Sequence, residues 1–337
     1  MCICIIGDPS DLACVYLSWH ARRRGIDVVE LDEETLGQDW TFAFDDSEPG
    51  SGWILRSGTR HLLEELDGAF VRFNPKPSLP RNLKLAPAQE FAFVSERRCA
   101  LQYFTDHLNM PVANRPSAGR ANGSKPHQMA LLEQAGFEIP RWMVTNDLDV
   151  ALGFQAECSN GLIYKACSGL RSRVRFFDAQ LEQRLSNGTT PVVMQEYIPG
   201  KDVRVHTVGS TAFATQVESS GGVDYRFESQ GAEYTATWAP EEIEQLCVQV
   251  ARREGLLIGG FDFRVTPEDE WFCLEVNPAP SFLPYEMATG QPIARELLCL
   301  LAPRRNNSAK FLQRGAGVRT AYFHNWAPSG SLTTVDK

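Results

Sequence analysis

Two apolar runs toward the C-terminal end, IGGFDFRV and WFCLEVNP, restrict what this chain can fold into more than any other feature. Each has the length and the aliphatic and aromatic content of a buried strand, and the polar turn TPEDE joins them. Yet each carries a carboxylate, Asp262 in the first and Glu275 in the second. An unpaired charge is costly in such surroundings. Alternate residues share a strand face, so Glu275 and Asn277 project together, and Asp262 meets them if the two strands are antiparallel neighbours. Two carboxylates and an amide oxygen make an all-oxygen set suited to Mg²⁺ held together with substrate phosphates. The competing reading, a solvated acidic pair on a sheet face, fits poorly with two apolar strands.

The chain opens with a buried strand, CICIIG, a Gly7-Asp8-Pro9-Ser10 turn, an amphipathic helix from Leu12 to Arg24 stopped by Gly25, and a second strand, IDVVEL. Two strands joined by a helix predict a parallel unit. No G-x-G-x-x-G follows the first strand, which argues against a dinucleotide fingerprint. Short strands with polar turns fill 40–70, AFVRF is a further strand, and Gln89 to Leu108 has helical periodicity. The Gly-, Ser-, Asn- and Pro-rich stretch 114–126 reads as a domain boundary. Beyond it come a short helix from His127 and strands at 140–144, 162–165, 173–177, 192–198, 203–208 and 211–218. A helix at 240–254, the two strands above and a closing helix at 292–301 complete the packed region. Residues 303–337 have the composition of a surface-hugging or disordered tail.

Composition narrows the function. Acids outnumber bases 42 to 33, giving a net charge of -9, so the surface repels phosphate backbones and nucleic acid is not the expected partner. The cluster Arg171, Arg173, Arg175 is the best candidate for a local basic patch. Nine cysteines without a C-x-x-C pair or a secretory signal read as reduced thiols, mostly small buried hydrophobes. No run approaches the ~20 apolar residues of a spanning helix. The expectation is a soluble, cytoplasmic protein with no membrane partner.

Two further groups carry chemistry. Lys165 ends an apolar strand and precedes a Ser-Gly loop, where a lysine can reach a nucleotide phosphate while loop N–H groups cover it. A lysine leaving a sheet edge is the plainer alternative. In QEYIPGKDVRV a strand ends at a Pro-Gly turn whose backbone could read an adenine edge, and Asp202 and Arg204 face one side. An acid can take ribose hydroxyls, and an arginine can stabilise charge in phosphoryl transfer. A cross-strand salt bridge is the structural alternative.

Taken together, Lys165, Gln195-Glu196-Tyr197, Asp202-x-Arg204, Asp262 and Glu275-x-Asn277 resemble, in order and spacing, the ligand set of ATP-grasp ligases. The stretch from IYKACSG to ATGQPIA looks most like the graspetide (microviridin-type) synthetases, which mature ribosomal peptides and are related to the ribosomal-protein glutamate ligases. The segment NGSKPHQMALLEQAGFEIPRWMVTND resembles the same group. The likeness spans about 110–302, and loosely the first lobe. It implies an α/β, ATP-grasp fold: a parallel N-terminal lobe over 1–113, a central lobe over 114–190, a C-terminal lobe over 191–302, and the 303–337 tail.

By this resemblance ATP would be held by Lys165 and Lys125 at the phosphates, by Gln195, Glu196, Tyr197 and Ile198 at the adenine hinge, and by Asp202 at the ribose. Arg204 and Arg226 would stabilise the phosphorylated carboxylate. Asp262, Glu275 and Asn277 would hold one or two Mg²⁺ ions, with Mn²⁺ as a substitute. For Lys125 a solvated loop lysine is the equal alternative. His206 reads as structural rather than as a general base, since two-residue spacing supplies no proton-transfer geometry.

Two departures stand out: the short, arginine-bearing loop ACSGLRSR, and APSFLPYE after the Glu-x-Asn-Pro motif. The implied activity is activation of a carboxylate as an acyl phosphate and its capture by an amine or hydroxyl, on a peptide or amino-acid substrate. Dimers are common in this group. The alternatives are a ligase of free amino acids or small acids, and a nucleotide-binding regulatory protein without turnover. A tail that is itself a substrate is disfavoured, because Asp336 is its one acid.

Overall fold

The computed structural model describes residues 1–45, 50–75, 79, 83–169, 173–218 and 232–303. Arg171, Arg226 and the tail from 304 onward lie outside the described residues. The first strand, β1 (Cys2–Gly7), is followed by α1 (Leu12–Arg23), whose N-cap Asp11 accepts the Ala13 N–H at 2.8 Å. β2 (Asp27–Asp32) then runs parallel to β1. A separate antiparallel sheet holds β3 (Trp40–Ala43), β4 (Trp53–Arg56) and β5 (Thr59–Leu62). β6 (Gly68–Arg72) lies parallel on the other side of β1. α2 (Pro87–His107) begins two residues before the expected Gln89, with Pro87 in the first turn where its missing N–H costs nothing. Its Leu101 and Phe104, with Leu108 just beyond, pack on Ile6 and Val71. β7 (Val112–Ala113) completes the order β2-β1-β6-β7.

The stretch 114–126 is not the open boundary its composition suggests. Pro116–Gly123 forms a 3-10 helix. The buried Asn114 amide accepts the N–H groups of Leu257 and Ile258 and donates to the carbonyls of Ile258 and Pro278. A single side chain thus ties the first lobe to the strands that carry Asp262 and Glu275. Composition marks irregular backbone here but cannot see the amide that anchors it.

The central lobe contains α3 (Lys125–Gln134), β8 (Trp142–Thr145), α4 (Leu148–Glu157), β9 (Leu162–Ala166), β10 (Arg175–Phe176), α5 (Ala179–Ser186) and β11 (Val192–Glu196). Its sheet has the order β10-β9-β11-β8, antiparallel throughout. β11 is hydrogen-bonded between β8 and β9, so the expected break at 190 falls one strand early. The chain leaves this sheet only at the Pro199-Gly200 turn. On one face Leu162, Tyr164, Val192 and Met194 pack against Ala151 and Phe154 of α4 and Leu181 and Leu185 of α5.

The C-terminal lobe is built on β12 (Lys201–Val208), β13 (Thr211–Glu218), β14 (Glu233–Thr237), β15 (Ile258–Val265) and β16 (Trp271–Asn277), in the order β14-β13-β12-β15-β16. The helix α6 (Glu241–Arg253) covers the apolar face, where Cys247, Val250 and Ala251 meet Val203, Val205, Phe261 and Phe263. After α7 (Leu283–Thr289) comes α8 (Ile293–Leu301), whose Ile293, Ala294, Leu297 and Leu298 pack with Leu17 and Ala21 of α1. Among the described residues no helix is long and apolar enough to cross a membrane.

Candidate active site

Strand register lines up the charged residues in rows across the open face of the C-terminal sheet. Directly opposed residues of antiparallel strands point to the same side. Arg204 on β12 faces Asp262 on β15, which faces Glu275 on β16. The next row is His206, Gly260 and Asn277. On the other side of the charged row, Asp202 faces Arg264. The carboxylates expected to meet across two antiparallel strands therefore do so, with Asp262 directly opposite Glu275.

A register shift makes this possible. Asp262 pairs with Glu275 but Phe263 pairs with Cys273, leaving Leu274 as the extra residue of a bulge. Trp271, Cys273, Glu275 and Asn277 would share one face in a regular strand. Across the bulge they divide: Trp271 and Cys273 enter the core, while Glu275 and Asn277 join the polar face.

Each carboxylate of the charged row has a cation. Arg204 Nη1 donates to Asp262 Oδ1 at 2.6 Å, with both side chains largely buried. Lys125, the first residue of α3, places Nζ 2.5 Å from Glu275 Oε2. The row runs plus, minus, minus, plus and is neutral. Asn277 Oδ1 accepts the Ala279 N–H at 2.9 Å. α3 also clamps the edge strand: the Gln128 amide donates to Val276 O at 2.8 Å and accepts the Val276 N–H at 3.3 Å. That exchange fixes the residue between Glu275 and Asn277.

Asp202 is held by Arg264 at 2.9 Å, the cross-strand salt bridge that its sequence position allowed as an alternative to ribose binding. Arg264 also donates to Gly200 O at 3.3 Å and lies over the Tyr197 ring at 5.6 Å, so it braces the hinge between the two lobes. Gly200 is required there, because a Cβ would run into the carbonyl of Val265. His206 is fully buried, with Nε2 3.3 Å from Ser281 O and its ring packed on Tyr285. Burial, helped by the nearby Arg204 charge, pushes its pKa well below the usual histidine value, so it is neutral and structural.

The central sheet offers a second surface. Opposite its apolar face, Lys165 is paired in register with Val193, and Gln195 with Ile163. Lys165 is buried, and Gln195 Oε1 is a buried oxygen with no hydrogen-bond partner. At the end of β9 a cavity of about 580 Å³ is lined by Lys165, Arg173, Arg175 and Arg184, with Ser168 and Thr190 among the remaining lining residues. Among the described residues, no carboxylate lines it. Backbone bonds join this end to α3: Lys125 N–H to Cys167 O at 2.8 Å, and Gly169 N–H to Gly123 O at 3.0 Å. Lys125 thus connects the loop after Lys165 to the carboxylate row.

These residues fit a magnesium nucleotide. A cavity with four cations suits phosphates, two facing carboxylates and an amide suit a hard dication, and the unmatched Gln195 oxygen on the hinge strand suits a purine amino group. Arg264, Gln128, Asn114 and Arg72 had no place in the sequence reading. Arg72 pairs with Asp11 at 2.6 Å and donates to Ala279 O and Pro280 O, holding the loop after Asn277 against the first lobe. For Arg264 a signal existed: it stands two residues from Asp262, repeating the D-x-R spacing of Asp202 and Arg204.

A family model described as a RimK-like ATP-grasp domain matches residues 124–301. Among solved structures, the macrocyclase MdnC of Microcystis aeruginosa MRC, bound with precursor peptide MdnA, is 19% identical at a TM-score of 0.73, over 89% of this chain and 99% of that one. The ATP-grasp ligase PsnB, complexed with a phosphomimetic variant of a minimal precursor, Mg and ADP, is 24% identical at a TM-score of 0.72, over 89% and 98%. A RiPP-associated ATP-grasp ligase of Chryseobacterium gregarium, in complex with ADP and a leader and core peptide, is 21% identical at a TM-score of 0.72, over 91% and 99%. At these identities the likeness establishes the ATP-grasp fold.

Proposed function

Because the chain belongs to the RimK-like ATP-grasp family, we propose that it is an ADP-forming ligase that activates a carboxylate with ATP and joins it to an amine or hydroxyl on a peptide. The observation that carries this reading is the row Arg204, Asp262, Glu275, with Asn277 beside it, on the face opposite an apolar core. A chain that only bound a partner would have no use for two carboxylates held face to face in a strand interior. The peptide substrate is supported by MdnC, PsnB and the C. gregarium ligase, each of which was solved with a peptide or precursor.

The residues divide the work. Glu196, Tyr197 and Ile198 follow Gln195 along the hinge and take the base, with Asp202 near the ribose. Lys165 and Lys125 neutralise phosphate oxygens, and Asp262, Glu275 and Asn277 hold Mg²⁺. Mg²⁺ held there would supply neutralisation of phosphate charge. A substrate carboxylate oxygen attacks the γ-phosphorus and ADP leaves, giving an acyl phosphate. Arg204 stabilises charge on the reacting carboxyl and transferred phosphoryl groups. The nucleophile then attacks the acyl carbon, loses its proton, and inorganic phosphate departs. No protein nucleophile is needed, so the site's contribution is positioning, electrostatics and exclusion of water.

The test is ADP formation from Mg·ATP with hydroxylamine as nucleophile, across pools of acidic peptides and of free amino acids and small acids. Carboxylate-dependent ADP and hydroxamate, lost in Asp262→Asn/Glu275→Gln, are the expected result. Turnover with free acids but not with peptides would overturn the peptide assignment, and failure to bind Mg·ATP would overturn the whole reading.

A further inference from the structure

Gly260 occupies the row next to the charged one, between His206 and Asn277, on the same face as Asp262. Its backbone is that of an ordinary strand residue and is not among the positive-φ glycines, so the chain's path does not call for glycine there. What calls for it is the Arg204 side chain. A Cβ at position 260 would lie 2.7 Å from both Cζ and Nε of Arg204 and closer still to Nη2. The guanidinium therefore crosses out of its own row and rests over the bare backbone of Gly260, while its Nη1 reaches Asp262 Oδ1 at 2.6 Å. The hydrogen atoms of Gly260 leave the space that the planar group fills.

We propose that Gly260 is a positioning residue of the ligase reaction: by lacking a side chain it lets the Arg204 guanidinium lie across β15, held against Asp262. The catalytic part of this inference rests on the function proposed above; the geometric part does not. Carbon atoms in ordinary contact stand about 3.5–4.0 Å apart. A methyl group at 260 therefore drives the guanidinium about 1 Å off the sheet. A displacement of that size strains the 2.6 Å hydrogen bond to Asp262 and takes the guanidinium out of its seat. Misplacing a reacting group by about 1 Å can slow a reaction on the order of 100-fold.

The experiment compares four full-length proteins: wild type, Gly260→Ala, Arg204→Ala and the double variant. Thermal unfolding is read for all, together with Mg·ATP binding by calorimetry and hydroxylamine-trapped ADP formation. Gly260→Ala is expected to lower Tm in wild type and to leave it unchanged in Arg204→Ala, where the methyl group has room. It is expected to lower kcat about 100-fold, with little change in the KM for ATP. An equal Tm loss in both backgrounds, or failure of both the single and the double variant to fold, overturns the proposal even if no substrate has been found. Coupled stability with a wild-type kcat overturns the catalytic half. If only the Gly260→Ala single variant fails to fold, the steric link to Arg204 stands.

Discussion

Replacing Lys125 by methionine isolates the electrostatics of the charged row. Lys125 Nζ stands 2.5 Å from Glu275 Oε2, with side chains 12% and 15% exposed, and Asp262 faces Glu275 across the ladder. Methionine keeps much of the apolar stem and removes the charge. Among the described residues, the cation that remains beside the two facing carboxylates is Arg204. Facing side chains of antiparallel strands are about 5 Å apart at Cβ. Two like charges at that distance repel by about 3 kcal/mol at an effective dielectric near 20. Arg204 offsets part of this, so the variant should lose about 2 kcal/mol in urea unfolding with chelator present. A divalent cation between the carboxylates removes the repulsion. Saturating Mg²⁺ should therefore stabilise the variant more than wild type, by roughly the same 2 kcal/mol. Lys201→Met, at an exposed position at the start of β12, should change neither value. Equal stability of Lys125→Met and wild type in chelator, or an equal Mg²⁺ increment for both, would refute the reasoning.

Removing the Asn114 amide with Asn114→Ala leaves four backbone groups, from Leu257, Ile258 and Pro278, without their partner. Water recovers some of them, and a loss of about 3 kcal/mol is expected in the denaturant midpoint; a change below about 0.5 kcal/mol would show that the clamp is dispensable. His206 sets a pH dependence of known sign. Its pKa is depressed in the folded state by burial, so below about pH 6.5 the unfolded chain binds a proton that the folded chain does not. Stability is complete above that pH and is lost as pH falls, by up to about 1.4 kcal/mol per unit. His206→Gln should lack that share of the slope between pH 6.5 and 5, and an unchanged slope would assign the acid sensitivity to other groups.

Alternation along β12 and the second half of β15, and at Glu275 and Asn277 past the bulge of β16, made the polar face legible before any fold was known, because apolar and polar residues interleave there with a period of two. The strand partner was harder to see. β13, β14 and α6 intervene between β12 and β15, so nothing local announces that Asp202-x-Arg204 and Asp262-x-Arg264 run antiparallel and pair crosswise. Two helices went unread although their caps were present: Asp147 accepts the Val150 N–H at the start of α4, and Asp178 accepts the Leu181 N–H at the start of α5. For Lys125 a loop lysine stood as an equal alternative to a nucleotide contact, because the neighbouring Gly, Ser and Pro disguise the first turn of α3, which Ser124 caps. Asn114 carried no pattern at all. A buried amide with four long-range partners is a fact of tertiary structure.

The bulge at Leu274 explains why an acid can sit where the strand around it is apolar. Without it, the pairing of Phe263 with Cys273 would continue as Asp262 with Leu274, and Glu275 would fall on the core side opposite Phe261. That face already holds Phe261, Phe263, Cys273 and Val276 at 4% exposure or less, so a carboxylate there would sit among apolar side chains. Burying a large apolar side chain contributes about 2 kcal/mol, whereas an unpaired charge in its place costs several. The core on one face thus enforces the placement of the acids on the other. The extra residue switches β16 from a strand whose odd-numbered side chains pack, Trp271 and Cys273, to one whose odd-numbered side chains face the cleft, Glu275 and Asn277. Folding and site geometry are specified by the same register. A change that slips β16 by one residue therefore cannot remove the site and leave the core intact.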